Sequence, residues 1–257
     1  MKKTGLALAI VAMMLALPLH AQEKKARWEP TARQQEVLSS HSFLEAHPDM
    51  LNRARAMEEL KRGDDTRAAA YFRRAARYAD KASQAGYAEM LWEGRGVERD
   101  RALAYAWMDL AAERGYELFL AFRERYWDAL DEAERVRAVE VGQQVYAEFG
   151  DTVAKPRLEA VMRRASRNIT GSRTGAVGAL KIVIPGPGGG TVIDGTEFYD
   201  KQFWEPKRYW QWQAAVMDGV KEGRVIVGDL HRKPDEAGDG AAGKPGPDDK
   251  RDDKKGD

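Results

Sequence analysis

The chain has 257 residues, 42 basic and 41 acidic side chains, and no cysteine. A net charge of +1 excludes a global field for nucleic acid or an anionic membrane surface. The lack of cysteine excludes disulfides, thiolate metal sites and lipid attachment through a thiol, so packing alone must hold the fold.

Lys2 and Lys3 precede an apolar run, Leu6–Leu19, and Ala21 is a small residue suited to cleavage. The run makes a helix of about 21 Å, short of a hydrocarbon core of roughly 30 Å. Residues 1–21 are read as an export signal that is cleaved. No stable membrane insertion is expected after its removal, and no later segment is apolar enough to span. Cleavage removes two lysines and no acid, which leaves a mature net charge of −1. The expected location is periplasmic or secreted.

Residues 22–48 read as an N-terminal extension, charged up to Pro30 and then forming one helix over 32–45. Asp49–Arg62 has Met50, Leu51, Ala54, Met57 and Leu60 at helical spacing. Gly63-Asp64-Asp65-Thr66 breaks the chain and caps the next helix. That helix turns Ala68, Ala69, Tyr71, Phe72, Ala75, Ala76 and Ala79 inward. A short partner helix is expected over 86–93. Gly94 and Gly96 then allow a tight turn, and Val97 can plug back between helices. Asp100 is an N-cap for a helix over 101–114, with Leu103, Ala104, Trp107, Leu110 and Ala111 on one face. Ala104, Ala111 and Ala112 permit close helix approach, Trp107 fills the space they leave, and Gly115 ends the helix.

The same spacing occurs 36 residues earlier. Asp64 corresponds to Asp100, Ala68 to Ala104, Tyr71 to Trp107, and Ala75-Ala76 to Ala111-Ala112. A period of this length marks a helical repeat array. The run Leu91…Gly94-x-Gly96-Val97…Asp100…Ala104…Trp107…Ala111-Ala112…Gly115 resembles a Sel1-like repeat, a relative of the tetratricopeptide family. Ala88 stands where that family favours Gly, and Leu91 where it favours Tyr. The earlier copy lacks the Gly-x-Gly-Val turn. The resemblance implies antiparallel helix pairs and protein–protein interaction, often in envelope assembly, stress or signalling.

Beyond Gly115 the repeat pattern fades. A helix is expected over 117–127, with Leu118, Phe119, Phe122, Tyr126 and Trp127 inward. A second, opened by Asp131 and Glu134 as a capping box, should run to about Phe149. A third should begin with Pro156 at its first position and end near Arg167. Residues 49–168 are read as the Sel1-like helical repeat domain. Arg157, Arg163, Arg164 and Arg167 read as a solvated helix face. Residues 171–230 read as a small α/β module with strands at 179–185, 191–194 and 224–227 and a helix over 206–218. Residues 231–257 carry seven basic and eight acidic side chains among Gly and Pro, and are expected to be disordered. The fold class is thus mainly α: a short Sel1-like α-solenoid of antiparallel helix pairs, a small C-terminal α/β appendage and a disordered tail.

Chemistry-bearing patterns are sparse. His41 and His47 lie six apart, which is not the spacing for a shared metal on one helix face, and His231 sits at the edge of the tail. No Gly-x-Ser-x-Gly occurs. The glycines at 186–190 lack the lysine and following helix of a phosphate loop. Asn168-Ile-Thr170 formally matches a glycosylation acceptor. Acid pairs such as Glu132/Glu134 and Asp194/Glu197 are uninformative in so charged a chain. No catalytic residue, metal site or cofactor is expected. The aromatic cluster Phe198, Tyr199, Phe203, Trp204, Tyr209, Trp210 and Trp212 is sharper. It either docks the module on the helices or exposes a surface, with Trp204, Tyr209, Trp210 and Trp212 as candidate binding residues. The favoured function is an exported adaptor with a protein or peptide partner. The alternatives are a cell-wall glycan-binding accessory or hydrolase using the aromatic cluster with Asp194, Glu197 and Asp200, and a structural secreted protein without a dedicated partner.

Overall fold

A computed structural model describes residues 28–167, 177, 180–186 and 189–218. The export signal (1–21), the charged stretch before residue 28, the acceptor at 168–170, the boundary at 171–175, the strand expected at 224–227 and the tail (231–257) lie outside the described residues. Within them the architecture is mainly α: helix hairpins stacked into a short solenoid, followed by one two-stranded sheet and short helices.

The N-terminal extension holds two helices where one was expected, α1 (Ala32–Ser39) and α2 (His41–Ala46). The break is at Ser40, which is extended (φ −68°, ψ 142°) and donates its hydroxyl to the Val37 carbonyl at 2.7 Å. Serine hydroxyls that bond local backbone compete with helix continuation. Next come α3 (Pro48–Arg62), α4 (Asp65–Ala76), α5 (Lys81–Glu93), α6 (Arg101–Ala112), α7 (Glu117–Ala129), α8 (Glu132–Phe149) and α9 (Asp151–Arg167). The pairs α3–α4, α4–α5 and α5–α6 pack along their lengths, and α6 also packs on α7 and α8.

The 36-residue correspondence has a common geometry. Asp64 accepts from the Arg67 N–H at 2.9 Å and Asp100 from the Leu103 N–H at 3.0 Å, each satisfying an otherwise unbonded helix-start donor. Ala68, Ala104, Ala75, Ala76, Ala111 and Ala112 are all buried. Trp107 is buried against Tyr87, edge to face at 4.9 Å, and Phe149 at 4.5 Å. Its counterpart Tyr71 is only partly buried.

Beyond shifts of one or two residues at the start of α3 and the end of α7, three helix boundaries differ from the sequence expectation. Helix α5 starts five residues early because Lys81, Ser83 and Gln84 are polar yet buried. Surrounded by protein on all sides, this turn carries no amphipathic signal. Helix α6 ends at Ala112 rather than Arg114. Helix α9 begins at Asp151, so Pro156 lies inside it rather than at its start. The Asp151 N–H is accepted by Glu113 at 3.1 Å, which anchors the earlier start. The carbonyl deprived by Pro156 belongs to exposed Thr152, where water can replace the lost bond.

The C-terminal segment forms a hairpin, β1 (Lys181–Gly186) and β2 (Gly189–Asp194), paired antiparallel with Ile182 opposite Ile193 and Val183 opposite Val192. The isoleucines turn inward while both valines face solvent, the alternation of a one-sided sheet. Two short helices not anticipated, α10 (Gly195–Phe198) and α11 (Lys201–Trp204), lead to α12 (Pro206–Asp218). Asp194 and Asp200 cap the two short helices. One core joins Val37 of α1, Phe43 of α2, Leu158 and Met162 of α9, Ile193 of β2 and Tyr209 of α12. The N-terminal extension, the end of the helical array and the C-terminal segment therefore share a single hydrophobic cluster.

Two contacts hold the array in register. At the first, Gly96 has φ +65°, and a Cβ there would lie 2.2 Å from the Asp65 carbonyl and 2.5 Å from the Thr66 nitrogen. The loop after α5 rests on the first turn of α4, and Arg95 grips Asp65 through two bonds of 2.9 and 3.3 Å. At the second, Lys81 is almost fully buried. It donates to Gln84 at 3.0 Å, the Leu110 carbonyl at 2.9 Å and Glu113 at 2.7 Å, and lies 3.2 Å from Asp151. Arg114 holds Asp151 by two bonds of 2.7 and 2.9 Å and donates to the carbonyl of Ala79, which has a left-handed φ of 61°. Burial alone would raise the Asp151 carboxyl, but the bonds from Arg114, the charge of Lys81 and the bond from Lys155 outweigh it and hold it far below the usual range.

Gly96→Ala combines left-handed strain with a backbone collision and should destabilise the fold by about 2–5 kcal/mol in a urea melt. A melt equal to wild type would contradict the contact. Asp151→Asn should cost about 2–4 kcal/mol at neutral pH by stranding Lys81 and Arg114. The wild-type carboxylate titrates lower folded than unfolded, so its contribution is present above an unfolded value of about 3.9 and is lost as pH falls below it. The gap between wild type and variant should therefore narrow on acidification; a gap that widens toward low pH would reverse the sign.

Candidate functional site

The aromatic residues singled out in the sequence are brought together, but inward. Tyr209 is fully buried and Trp212 nearly so; Trp204 and Trp210 are partly buried. Trp212 meets Trp28 at 5.3 Å and Phe203 at 5.0 Å, both edge to face. Tyr209 donates a short hydrogen bond to buried Asp49 of α3 and accepts one from Gln213 at 2.8 Å. Trp204 donates to the Phe198 carbonyl at 2.7 Å, and Trp210 to Glu159 at 3.0 Å. The Trp210 ring also lies under Arg114 and Lys155, at 4.9 and 5.4 Å. A sugar platform needs open ring faces; here neighbouring rings and cations cover them. Of the two alternatives for Trp204, Tyr209, Trp210 and Trp212, the packing is that of internal docking, as expected of a segment too small to bury its aromatics without the helices.

The proposed acids follow. Asp194 caps α10 through Thr196 and pairs with Lys181 at 3.1 Å, which holds its carboxyl at about 2. Glu197 pairs with Arg33 at 2.8 Å, and Asp200 caps α11. Each has a structural partner. His41 pairs with Glu45 on the surface at 3.0 Å. His47 is buried, with each ring nitrogen 2.8 Å from a carbonyl oxygen, of Phe43 and of Phe203, which leaves neither for a metal. Among the described residues no three His, Cys, Asp or Glu side chains converge as a metal site would require. No described helix is long and apolar enough to cross a membrane.

The repeat-defining residues lie on structural duties, and one of those duties builds a surface. Gly94 caps α5 in the left-handed conformation (φ 72°), and Gly115 likewise follows α6 (φ 73°). Val97 is half-buried and touches both the α3–α4 core and the α5–α8 core. Together with Gly96 it forms one end of a groove of about 390 Å³ along α4. The floor is Ala69, Ala70, Val97 and the ring of Tyr87; the rim is Thr66, Arg73, Arg74 and Arg77. The small side chains that permit close packing elsewhere in the repeat here leave a depression.

The rim carries the electrostatics. The Arg73 guanidinium lies 5.6 Å from the Phe149 ring, and that of Arg74 lies 5.1 Å from the Tyr71 ring. Among the described residues neither has a carboxylate partner. Arg77 pairs with Glu148 at 2.6 Å in an exposed bridge of the kind worth about 0–1 kcal/mol. No step of the sequence reading picked out these arginines. Arg-Arg-x-x-Arg on a helix is the available signal, but it is indistinct in a chain with 42 basic residues.

No family model and no curated protein matches the chain. Among solved structures, a protective antigen present in uropathogenic Escherichia coli strains and displaying an SLR fold is similar at 23% identity. The match covers 49% of this chain and 26% of that one, with a TM-score of 0.38. The chain thus spans about a quarter of that protein's length.

Proposed function

We propose that this protein is an exported Sel1-like adaptor that binds a segment of another polypeptide in the groove along α4. The observation that carries the reading is the groove itself: an apolar floor of alanine, valine and tyrosine beneath three arginines, of which Arg73 and Arg74 lack carboxylate partners among the described residues. Binding sites are mostly apolar concavities with a few placed polar groups, and stacked helix pairs create them without dedicated loops. Reactive groups are not gathered there: the lining has no acid, histidine or serine. Export is supported by the two lysines and the apolar run before Ala21. A periplasmic or extracellular partner follows from that location.

The reading is tested in cells that produce the full chain, with a photo-crosslinking amino acid at position 70 or, as control, at Val136 on the exposed side of α8. Position 70 should give discrete polypeptide adducts and position 136 none, on protein recovered outside the cytoplasm with Gln22 as its first residue. Identical patterns at the two positions, or cytoplasmic protein retaining Met1, would contradict it.

A further inference from the structure

The groove's rim and length specify more than a generic partner. Arg73 of α4 and Arg77 at its C-cap stand one turn apart, about 6 Å along the axis. Same-side residues of an extended peptide recur every 6.5–7 Å or so. An extended segment lying along α4 would thus set every second side chain toward this pair. The lining runs from Thr66 to Arg77, a length of roughly 16 Å, enough for about five extended residues.

The cations are prepared for anions. Arg73 and Arg74 are exposed and steadied by ring faces at Phe149 and Tyr71. Such contacts engage the guanidinium plane and leave its N–H donors for carboxylates, which arginine binds in forked pairs. Arg77 can exchange Glu148 for an incoming carboxylate at little cost, since both ends of that bridge are exposed. One turn before Arg73 and Arg74 the groove is lined by apolar groups, the methyls of Ala69 and Ala70, with Val97 and Tyr87 alongside. A bare polyanion would satisfy the rim but leave this floor wet.

We propose that the α4 groove recognises an extended acidic segment of a partner protein, with same-face carboxylates two residues apart on Arg73 and Arg77, a further one on Arg74, and a small apolar side chain two residues on along that face, against Ala69, Ala70 and Val97. The proposal rests on the adaptor reading and names its ligand chemistry. Charge complementarity selects the partner. The apolar position beside the acids distinguishes it from a nucleic acid or a sulfated glycan.

The test uses the mature full chain and fluorescent peptides of sequence Val-Ser-Glu-Glu-Glu flanked by glycines, with Val-Ser-Gln-Gln-Gln as neutral counterpart, read by anisotropy. The acidic peptide should bind, and its affinity should fall as salt rises from about 50 to about 300 mM. The neutral peptide should bind at least about tenfold more weakly. Arg73→Glu with Arg74→Glu should lower affinity about tenfold or more, and so should Ala70→Trp, which fills the groove without altering charge. Arg164→Glu, exposed on α9, should leave binding unchanged. Melting curves keep these surface variants interpretable. No binding of the acidic peptide, or equal loss in the Arg164 variant, overturns the proposal. So does oligothymidylate or heparin binding that needs Arg73 and Arg74 but ignores Ala70→Trp. If the acidic peptide fails while crosslinks at position 70 persist, only the ligand chemistry is wrong. If the crosslinks fail too, the adaptor reading falls with it.

Discussion

At Gly96 the backbone of one connecting loop lies directly on the first turn of the preceding repeat helix. There is no space for a Cβ, and the left-handed φ favours glycine as well. The rest of the array follows from this seat. It brings Val97 between two cores, places Arg95 against Asp65, and sets the distance at which α5 can pack beside α4. It also closes one end of the groove whose floor Val97 helps to form. One residue type at one position thus links the spacing of the repeat to the shape of the groove along α4.

A second constraint acts at the far ends of the same helices. Lys81, Arg114, Glu113 and Asp151 tie the start of α5, the end of α6 and the start of α9 into one partly dry network. Removing several charges from water is costly, so such a network is poor evidence of net stability, but breaking one member strands the others. It fixes which helix ends meet. The strained Ala79 carbonyl, taken by Arg114, shows how closely the α4–α5 turn is held to that arrangement.

Most of the helical array was legible in sequence because its signals are local. Asp64, Asp100, Asp131 with Glu134, and Gly94 act within one turn of their own helices. What escaped was set by contacts distant in sequence. The first turn of α5 reads as polar, yet its Lys81 and Gln84 are satisfied by Leu110, Glu113 and Phe149. The aromatic run at 198–212 left docking and exposure both open in sequence; its partners Trp28, Phe43 and His47 lie far away along the chain. The groove was illegible for a related reason. Its arginines are ordinary residues on an ordinary helix; only the small side chains beneath them and the loop across from them make a site.

The whole account turns on whether the 94–97 loop seats against α4. The most direct measurement is a nuclear Overhauser spectrum of the assigned protein, read for cross-peaks between the Gly96 α-protons and the Thr66 amide. A strong cross-peak is predicted, because the missing Cβ direction points at that nitrogen. Its absence, with both resonances assigned and the helices formed, would contradict the seat, the helix spacing and the groove together.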